Sequence, residues 1–433
     1  MLMATNMISF VIIITLISVS LCQIRSDDLV LQYAAVIFRH GDRTPVEPYP
    51  TDPYKNESMW PVKFGQLTNT GKKQHYALGK WLRERYRHMI SEEYDPTQIH
   101  VRSTDVDRTL MSVEANLAGL FPPVGNSIWD NQLQWQPIPV HTMPTNRDEV
   151  LAMQRKCPAY DIALEELQES KEYTDRLSQY QGLMDYLTAY TGAKIKDYND
   201  ISYVYNTLYI ETLYNFTLPN WTRTVYPDKM REPSCYSFRT ATMTPLLARL
   251  KVGPLIQEIV TKMANTTLTY PAGYSNAVKL SIYSAHDITV ANVLHALGMF
   301  DGNCPVYTAT ILFELLYSQN TAEHFVRISY RNFTGIAEPY VLRIPYCGEV
   351  CSFNRFVTLY ENLLNINWDF ECAKKNIPIL GMSMLYSVGI LAALFVAHKI
   401  IFNRLPRNRL NIMYSNVNTD TKIPDKITEA QKK

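Results

Sequence analysis

The chain has 433 residues, with 42 lysines and arginines against 41 aspartates and glutamates, so its formal net charge is +1. A chain of this length can bury a large core in about two folding units. The balanced charge excludes a whole-molecule argument for nucleic-acid binding, and the aromatic share of 12% suits a globular protein and argues against a disordered one.

The N-terminus carries a short apolar run that is typical of a secretory signal peptide. Residues 8–21 have the sequence ISFVIIITLISVSL, and Ser20 is the small residue before a cleavage site after Cys22. A buried strand or an uncleaved anchor would have the same composition, but the run is short for a membrane span. We therefore predict a signal peptide over residues 1–22, which sends the rest of the chain into the secretory pathway.

Strand and helix patterns alternate after the signal peptide. Residues 29–38 are almost continuously apolar, as expected of a central strand buried on both faces. Helical spacing of apolar residues begins at Thr68, a second strand covers residues 99–101, and the helix that follows ends at Pro122. Alternating strands and helices predict an α/β domain with a mainly parallel sheet, and residues 23–144 would form its first part.

The composition changes in the middle of the chain. Residues 145–265 are rich in Glu, Lys, Tyr and Leu at helical spacing, which predicts a smaller, mostly helical cap domain. Strand and helix patterns then return, so residues 266–372 are predicted to complete the α/β domain. The strands expected there lie near residues 278–282, 311–316, 325–330 and 340–344.

A membrane span is predicted near the C-terminus. Residues 377–396 contain no charged side chain and are long enough to cross a hydrocarbon core of about 30 Å. Lys399 and Arg404 begin a basic flank of the kind found on the cytoplasmic side, whereas a buried core helix is the alternative. We predict a transmembrane helix over residues 377–402 and a cytoplasmic tail over residues 403–433, in a single-pass type I arrangement.

Cysteine and glycosylation signals agree with an exported domain. Six cysteines remain after residue 22, all ahead of the predicted span; an even number suggests three disulfides but leaves their pairing open. N-x-S/T sequons occur in the same segment, at Asn56, Asn215, Asn220, Asn265 and Asn332.

Charged residues cluster at the ends of three predicted strands. Arg39 and His40 follow the first strand, Arg102 ends the second, and His286 and Asp287 follow the strand after the cap. Ligands of open α/β sheets bind outside the carboxyl ends of the strands. If these strands are neighbours in the sheet, the five side chains converge on one crevice.

This set of side chains suits a phosphate monoester. The guanidinium groups of Arg39, Arg43 and Arg102 match phosphate oxygens bidentately and stay charged at physiological pH. The two histidines offer a nucleophile and a further donor, and Asp287 could protonate the leaving oxygen, with its pKa raised by the bound phosphate. Because the arginines neutralise the phosphate charge, no metal and no cofactor are expected.

Neither the Arg-His pair nor the His-Asp pair is specific by itself. An isolated Arg-His pair is usually a surface feature or a salt bridge. A His-Asp pair also occurs in metal-dependent HD phosphohydrolases, but those enzymes need further ligands, and His295 is not at metal-ligand spacing from His286.

Three blocks of the sequence resemble the histidine acid phosphatases, in particular their lysosomal and prostatic branch. The blocks are RHGDRTP (39–45), VRSTDVDRTLMSVEANLAGLFPP (101–123) and SAHD (284–287). The resemblance extends over roughly residues 30 to 372. It implies a phosphoglycerate mutase-like α/β domain with a helical cap, and family members are commonly dimers, so a homodimer is expected.

The resemblance also assigns roles. His40 would be the nucleophile that becomes phosphohistidine, and Asp287 would protonate the departing alcohol. The phosphate-binding residues would be Arg39, Arg43, Arg102 and His286.

Two disulfides are implied by the resemblance, and a third family pair is missing. The implied pairs are Cys157 with Cys372 and Cys347 with Cys351. Where relatives carry the third pair, this chain has Ile210 and Thr310. Cys235 and Cys304 are left over, and we hypothesise that they form a substitute bridge.

The sequence therefore predicts an acid phosphatase that acts on small phosphate monoesters through a phosphohistidine, in the secretory or lysosomal lumen. A narrower relative, such as a phytase or a lysophosphatidic acid phosphatase, is the alternative enzyme. A membrane receptor on an inactive scaffold is the non-enzyme alternative. YSNV (414–417) in the tail resembles a Y-x-x-Φ sorting signal, which favours a lysosomal or endosomal membrane over the cell surface.

Overall fold

The computed structural model describes residues 28–269, 278–333 and 338–373. The predicted signal peptide, transmembrane helix, cytoplasmic tail and sorting signal lie outside these residues. Within the described ranges, no helix is long and apolar enough to cross a membrane.

A seven-stranded sheet lies at the centre of the fold, with helices between and after its strands. The strands are β1 (Leu29–Arg39), β2 (Ile99–Ser103), β3 (Leu280–Ala285), β4 (Thr310–Ser318), β5 (Glu323–Arg331), β6 (Tyr340–Val341) and β7 (Val350–Ser352). The helices are α1 (Asn69–Tyr86), α2 (Asp107–Leu120), α3 (Pro158–Glu169), α4 (Lys171–Ser178), α5 (Gln181–Thr191), α6 (Tyr198–Leu213), α7 (Asp228–Thr240), α8 (Pro245–Thr269), α9 (Asp287–Ala296), α10 (Phe353–Leu359) and α11 (Trp368–Ala373). Short 3₁₀ helices lie at Glu57–Met59, Gly125–Ser127, Thr145–Arg147, Asn220–Thr224 and Glu361–Leu363.

The sheet is mixed, and the prediction of a mainly parallel sheet is wrong. The strand order is β2-β3-β1-β4-β5-β6, with β7 also paired to β5. β2, β3 and β1 are parallel, whereas β4, β5, β6 and β7 pair in antiparallel fashion. The physical reason is the short connection at residues 319–322 between β4 and β5, because a parallel pair needs a crossover of about a dozen residues or more.

The parallel half of the sheet brings three carboxyl ends to one edge. Arg39 at the end of β1 lies beside Ala285 at the end of β3, and Ser103 at the end of β2 lies beside Ser284. The three strands on which the predicted site depends are therefore adjacent in the sheet.

Both faces of β1 are covered, as its continuous apolar sequence indicates. Ala35 and Ile37 pack in the cluster that contains α8 and α9. Val36 and Phe38 pack on the other face, in the cluster that contains α1 and α2. This alternation follows from the two-residue period of a strand.

The segment predicted as the cap is helical, and its packing divides into two parts. A separate cluster forms around α5 and α6, with Leu187, Val204 and Leu208 at its centre. In contrast, Val252 and Ile259 of α8 pack in the cluster that covers the sheet. The chain therefore returns to the sheet layer before residue 265.

The structure pairs the six cysteines after residue 22 into three disulfides. The pairs are Cys157 with Cys372, Cys347 with Cys351, and Cys235 with Cys304. The last pair is the hypothesised substitute bridge, and it joins α7 to the loop before β4. Ile210 and Thr310, at the positions of the missing family pair, are fully buried.

Four of the five sequon asparagines are exposed, which is compatible with the predicted glycosylation. They are Asn56, Asn215, Asn220 and Asn265. Asn332 differs because it is half-buried, and its Oδ1 accepts a hydrogen bond from the backbone N–H of Val306 at 2.9 Å. Glycosylation of all five sites remains a prediction.

Candidate active site

The loop after β1 is held tightly against the start of α1. A Cβ atom on Gly41 would lie 2.5 Å from the carbonyl oxygen of Gly71, so this approach requires glycine. The carboxylate of Asp42 accepts hydrogen bonds from the hydroxyls of Thr68 and Tyr214. The Gly-Asp part of the RHGD motif is thus structural, and it fixes where His40 lies.

His40 is a buried, neutral imidazole. It is 1% exposed, and its Nδ1 lies 2.8 Å from the carbonyl oxygen of Gly41, to which it donates. Burial lowers the pKa of His40 well below its usual value, and the cations Arg39 and Arg43 lower it further. The Nδ1 proton is therefore held by the backbone, which leaves the lone pair on Nε2.

Arg39 connects the end of β1 to the carboxylate of Asp287. Its guanidinium lies 2.8 Å from the Asp287 carboxylate, donates to the carbonyl oxygen of Pro305 at 2.6 Å and lies 4.4 Å above the ring of Tyr307. Burial alone would raise the pKa of Asp287, but Arg39 and Arg43 outweigh it and hold that pKa below its ordinary value. Asp287 is therefore ionised in the ligand-free site.

Arg43 and His286 complete the group next to His40. Arg43 donates to the side-chain oxygen of Asn206 at 3.1 Å, which connects the strand end to α6. The His286 ring lies 5.7 Å from the His40 ring, and its Nε2 lies 3.0 Å from the hydroxyl of Thr104. Burial and then nearby cations lower the pKa of His286 to about 3, so it offers an N–H donor and no charge.

Arg102 does not join this group, which corrects the sequence-based expectation. Its guanidinium pairs with Asp148 at 2.7 Å and with Glu258 of α8 at 3.2 Å. The reason is its place on β2: Val101 packs on the face that contains α1 and α2, so Arg102 points to the opposite face, where it lies beside Tyr283 and before the end of β3. It belongs to a polar network under α8.

Arg108 supplies the third cation of the site, and it was not among the residues predicted from the sequence. It lies in the first turn of α2, and its charge lowers the pKa of both His40 and His286. Burial and then Arg43 lower the pKa of Arg108 itself to about 10, so it stays charged. Two signals in the sequence could have identified it: the period-two pattern of β2, and the position of Arg108 in the helix that leaves that strand end.

We expect Arg108→Gln and Arg102→Gln to separate catalysis from stability. Arg108→Gln should lower kcat/KM for a phosphate monoester by about 10²- to 10³-fold, because a charge that stabilises the phosphoryl group is lost. Arg102→Gln should leave kcat/KM within about threefold. It should lower the free energy of unfolding by about 2 kcal/mol, because the buried Asp148 carboxylate would lose its cation and keep only its backbone N–H donors.

Steady-state kinetics and thermal unfolding of the two variants check this prediction. If Arg102→Gln lowers kcat/KM as much as Arg108→Gln or more, the prediction is wrong and Arg102 contributes to catalysis.

A cavity of about 260 Å³ opens beside Arg39 and Asp287. The other side chains on its wall come from α6, α7, the loop before β4 and the end of β5. They are Ser202, Tyr205, Asn206, Tyr209, Arg231, Cys235, Phe238, Asn303, Cys304, Pro305, Val306 and Asn332. The cavity provides the space for a leaving group next to the cationic centre.

Comparison with known proteins identifies the class. The family model described as histidine phosphatase superfamily (branch 2) matches residues 30–331, so the chain belongs to this superfamily. Prostatic acid phosphatase of Bos taurus is 42% identical over 351 residues, covering 80% of this chain and 88% of that protein. Lysosomal acid phosphatase of Xenopus laevis is 37% identical over 371 residues, covering 85% of this chain and 83% of that protein.

The chain is thus a phosphatase similar to the prostatic and lysosomal acid phosphatases. A solved structure, the phytase from Citrobacter braakii, aligns with a TM-score of 0.57 at 19% identity, over 80% of this chain and 100% of that one. At that identity the likeness shows a shared fold.

Proposed function

We propose that the chain hydrolyses phosphate monoesters through a phosphohistidine on His40. The observation that carries the proposal is the state of His40: a buried, neutral imidazole whose Nδ1 proton is bonded to the Gly41 carbonyl, with three arginines close by. Such a ring presents its Nε2 lone pair to an electrophile that the cations attract. A phosphoryl group is that electrophile.

In the first step Nε2 of His40 attacks phosphorus and forms an N–P bond. The P–O bond to the alcohol breaks, its electron pair leaves with the oxygen, and a proton from Asp287 neutralises that oxygen. Arg39, Arg43 and Arg108 stabilise the charge on the three remaining phosphoryl oxygens. The Gly41 carbonyl oxygen accepts the hydrogen bond from Nδ1–H and so stabilises the positive charge on the phosphorylated His40 ring.

In the second step water attacks the phosphohistidine. Asp287 accepts a proton from the water, the N–P bond breaks, and its electron pair returns to Nε2 of His40. Inorganic phosphate then leaves. Since each step reverses the proton movement of the other, one carboxyl group serves as acid and then as base.

The proton that Asp287 donates has to enter with the substrate. In the empty site, Arg39 and Arg43 keep the pKa of Asp287 low, so the carboxyl group carries no proton at mildly acid pH. A phosphate monoester has a second pKa of about 6. Below that pH the bound monoanion carries one proton, and Asp287 can take it up once the phosphate oxygens occupy the arginines.

The test uses the full-length protein in detergent with a chromogenic phosphate monoester and the corresponding diester. We expect hydrolysis of the monoester only, fastest at acid pH and unchanged by EDTA, because the arginines act where a metal would. Activity that EDTA abolishes and a divalent metal restores would contradict the mechanism. Absence of monoester hydrolysis at every pH would favour the receptor alternative.

We also propose that this domain acts in a lumen and is anchored to a lysosomal or endosomal membrane as a homodimer. The disulfides and sequons support an oxidising, exported location. The anchor rests on the apolar sequence of residues 377–396, and the sorting signal rests on YSNV. The homodimer rests on the family resemblance alone.

A further inference from the structure

The cavity beside Arg39 and Asp287 extends along two helices of the cap segment. The side chains that α6 contributes are Ser202, Tyr205, Asn206 and Tyr209. Their spacing is i, i+3, i+4 and i+7, which places them on one face of a helix. This face is half-buried along its whole length. It therefore forms a continuous wall from the catalytic groups outward.

A second part of the lining comes from α7, and its residues also share one helix face. Arg231, Cys235 and Phe238 have the spacing i, i+4 and i+7, and all three line the cavity. Cys235 is bonded to Cys304, so the loop before β4 is joined to this wall. Two helix faces and one covalently attached loop thus enclose the space into which a leaving group would extend.

Arg231 is a cation without an acidic partner in the described part of the chain. Its guanidinium has no ion pair or hydrogen bond there. The neighbouring carboxylate of Glu232 is already engaged, because it accepts from Arg176 at 2.6 Å and from the hydroxyl of Tyr180. Arg231 is exposed and lines the cavity, so its positive charge is available there without an acidic partner.

The charge balance of the lining favours an anion. Asp287 is the one carboxylate among the lining residues, and Arg39 already pairs with it at 2.8 Å. Arg231 thus adds a second positive point at the wall of α7, separate from the three arginines around His40. An anion bound at Arg231 would meet no carboxylate among the remaining lining residues.

The remaining surface suits a flat, compact group. The half-buried rings of Tyr205, Tyr209 and Phe238 lie on the two helical walls. Aromatic walls favour planar ligands through stacked and edge-to-face contacts. The volume of about 260 Å³ lies below the roughly 300–1,000 Å³ that is usual for small-molecule sites. It accommodates a single ring, and further parts of a leaving group would extend through the open side of the cavity.

We propose that this cavity selects phosphate monoesters of a planar alcohol that bears a second anionic group, and that Arg231 binds this group. The inference rests on the proposed function, since it concerns the leaving group of the same reaction. The phosphate is held by the arginines around His40, the ring lies between α6 and α7, and the second anion contacts Arg231. Arg231 is a specificity residue and takes no part in bond breaking.

The test compares two substrates that differ in one charge, 3-carboxyphenyl phosphate and its carboxamide, at a pH where the carboxylate is ionised. Full-length wild-type protein should show a KM about fivefold lower for the carboxylate, because a partly exposed charge-assisted hydrogen bond contributes modestly. Arg231→Gln should abolish this ratio, whereas Arg231→Lys should keep most of it. Arg223→Gln is the matched control, because Arg223 is an exposed cation of the same segment outside the cavity lining.

The ionic-strength dependence of the KM ratio is a second measurement, which a purely structural role of Arg231 would not change. The wild-type preference for the carboxylate should shrink as ionic strength rises, since exposed charges are screened. Equal KM values in the wild type, or an unchanged ratio in Arg231→Gln, would overturn the subsite while leaving the phosphatase proposal intact. Failure of the wild type to hydrolyse either ester would overturn the proposed function, and this inference with it.

Discussion

His40→Ala is expected to lower kcat by a factor on the order of 10⁵, because the reaction loses its nucleophile and the cations that remain can only bind the phosphate. Rapid alkaline quenching of the wild-type protein with a radiolabelled monoester should trap phosphate on His40, because the N–P bond survives in alkali, and the variant should retain none. Steady-state kinetics and peptide mapping of the labelled protein measure the two effects.

The matched control is His88→Ala, because His88 is an exposed histidine after α1. It should keep both the turnover and the label. Thermal unfolding of His40→Ala should still show one cooperative transition, which separates loss of chemistry from loss of fold. Label on another residue in a folded, active His40→Ala protein would show that His40 is not the nucleophile.

Asp287→Asn is expected to slow the enzyme in a manner that depends on the leaving group. For esters of alkyl alcohols, kcat should fall by about 10²- to 10⁴-fold, because the departing alkoxide needs a proton. For nitrophenyl phosphate the fall should be much smaller, because nitrophenolate leaves without one. A series of monoesters that spans a range of alcohol pKa values measures the dependence in both proteins.

Asp105→Asn controls for the loss of a carboxylate near the site, since Asp105 is exposed in the loop between β2 and α2. It should behave as the wild type with every ester. A fall in kcat of equal size for good and poor leaving groups in Asp287→Asn would mean that Asp287 acts only by orienting Arg39.

The half of the fold that carries the site was predictable from local pattern. The apolar run of β1 indicated a strand covered on both faces, and His286 and Asp287 could be placed at the end of β3 because SAHD separates an alternating segment from an apolar helix. The antiparallel half does not follow from residue composition, because β4 and β5 are antiparallel on account of the short connection at residues 319–322 between them. Pairing direction depends on that length, and residue composition does not report it.

The error over Arg102 has a similar origin. Arg102 lies near the end of β2 and Arg108 in the first turn of α2, and both lie in the block that resembles the acid phosphatases. Only the register of the pleat decides that Arg102 faces Asp148 and Glu258. Partners that lie 46 and 156 positions away along the chain cannot be inferred from local spacing. The position of Arg231 on the cavity wall also depends on contacts between distant parts of the chain, which local spacing does not reveal.

The bridge between Cys235 and Cys304 makes one wall of the cavity depend on the oxidation of two thiols. Cys304 precedes Pro305, whose carbonyl oxygen receives the hydrogen bond from Arg39. Thiols pair in the secretory pathway and stay reduced in the cytosol. We therefore expect Arg39 to contact a loop that stays untethered until this bridge forms, so that the wall of the cavity depends on thiol oxidation.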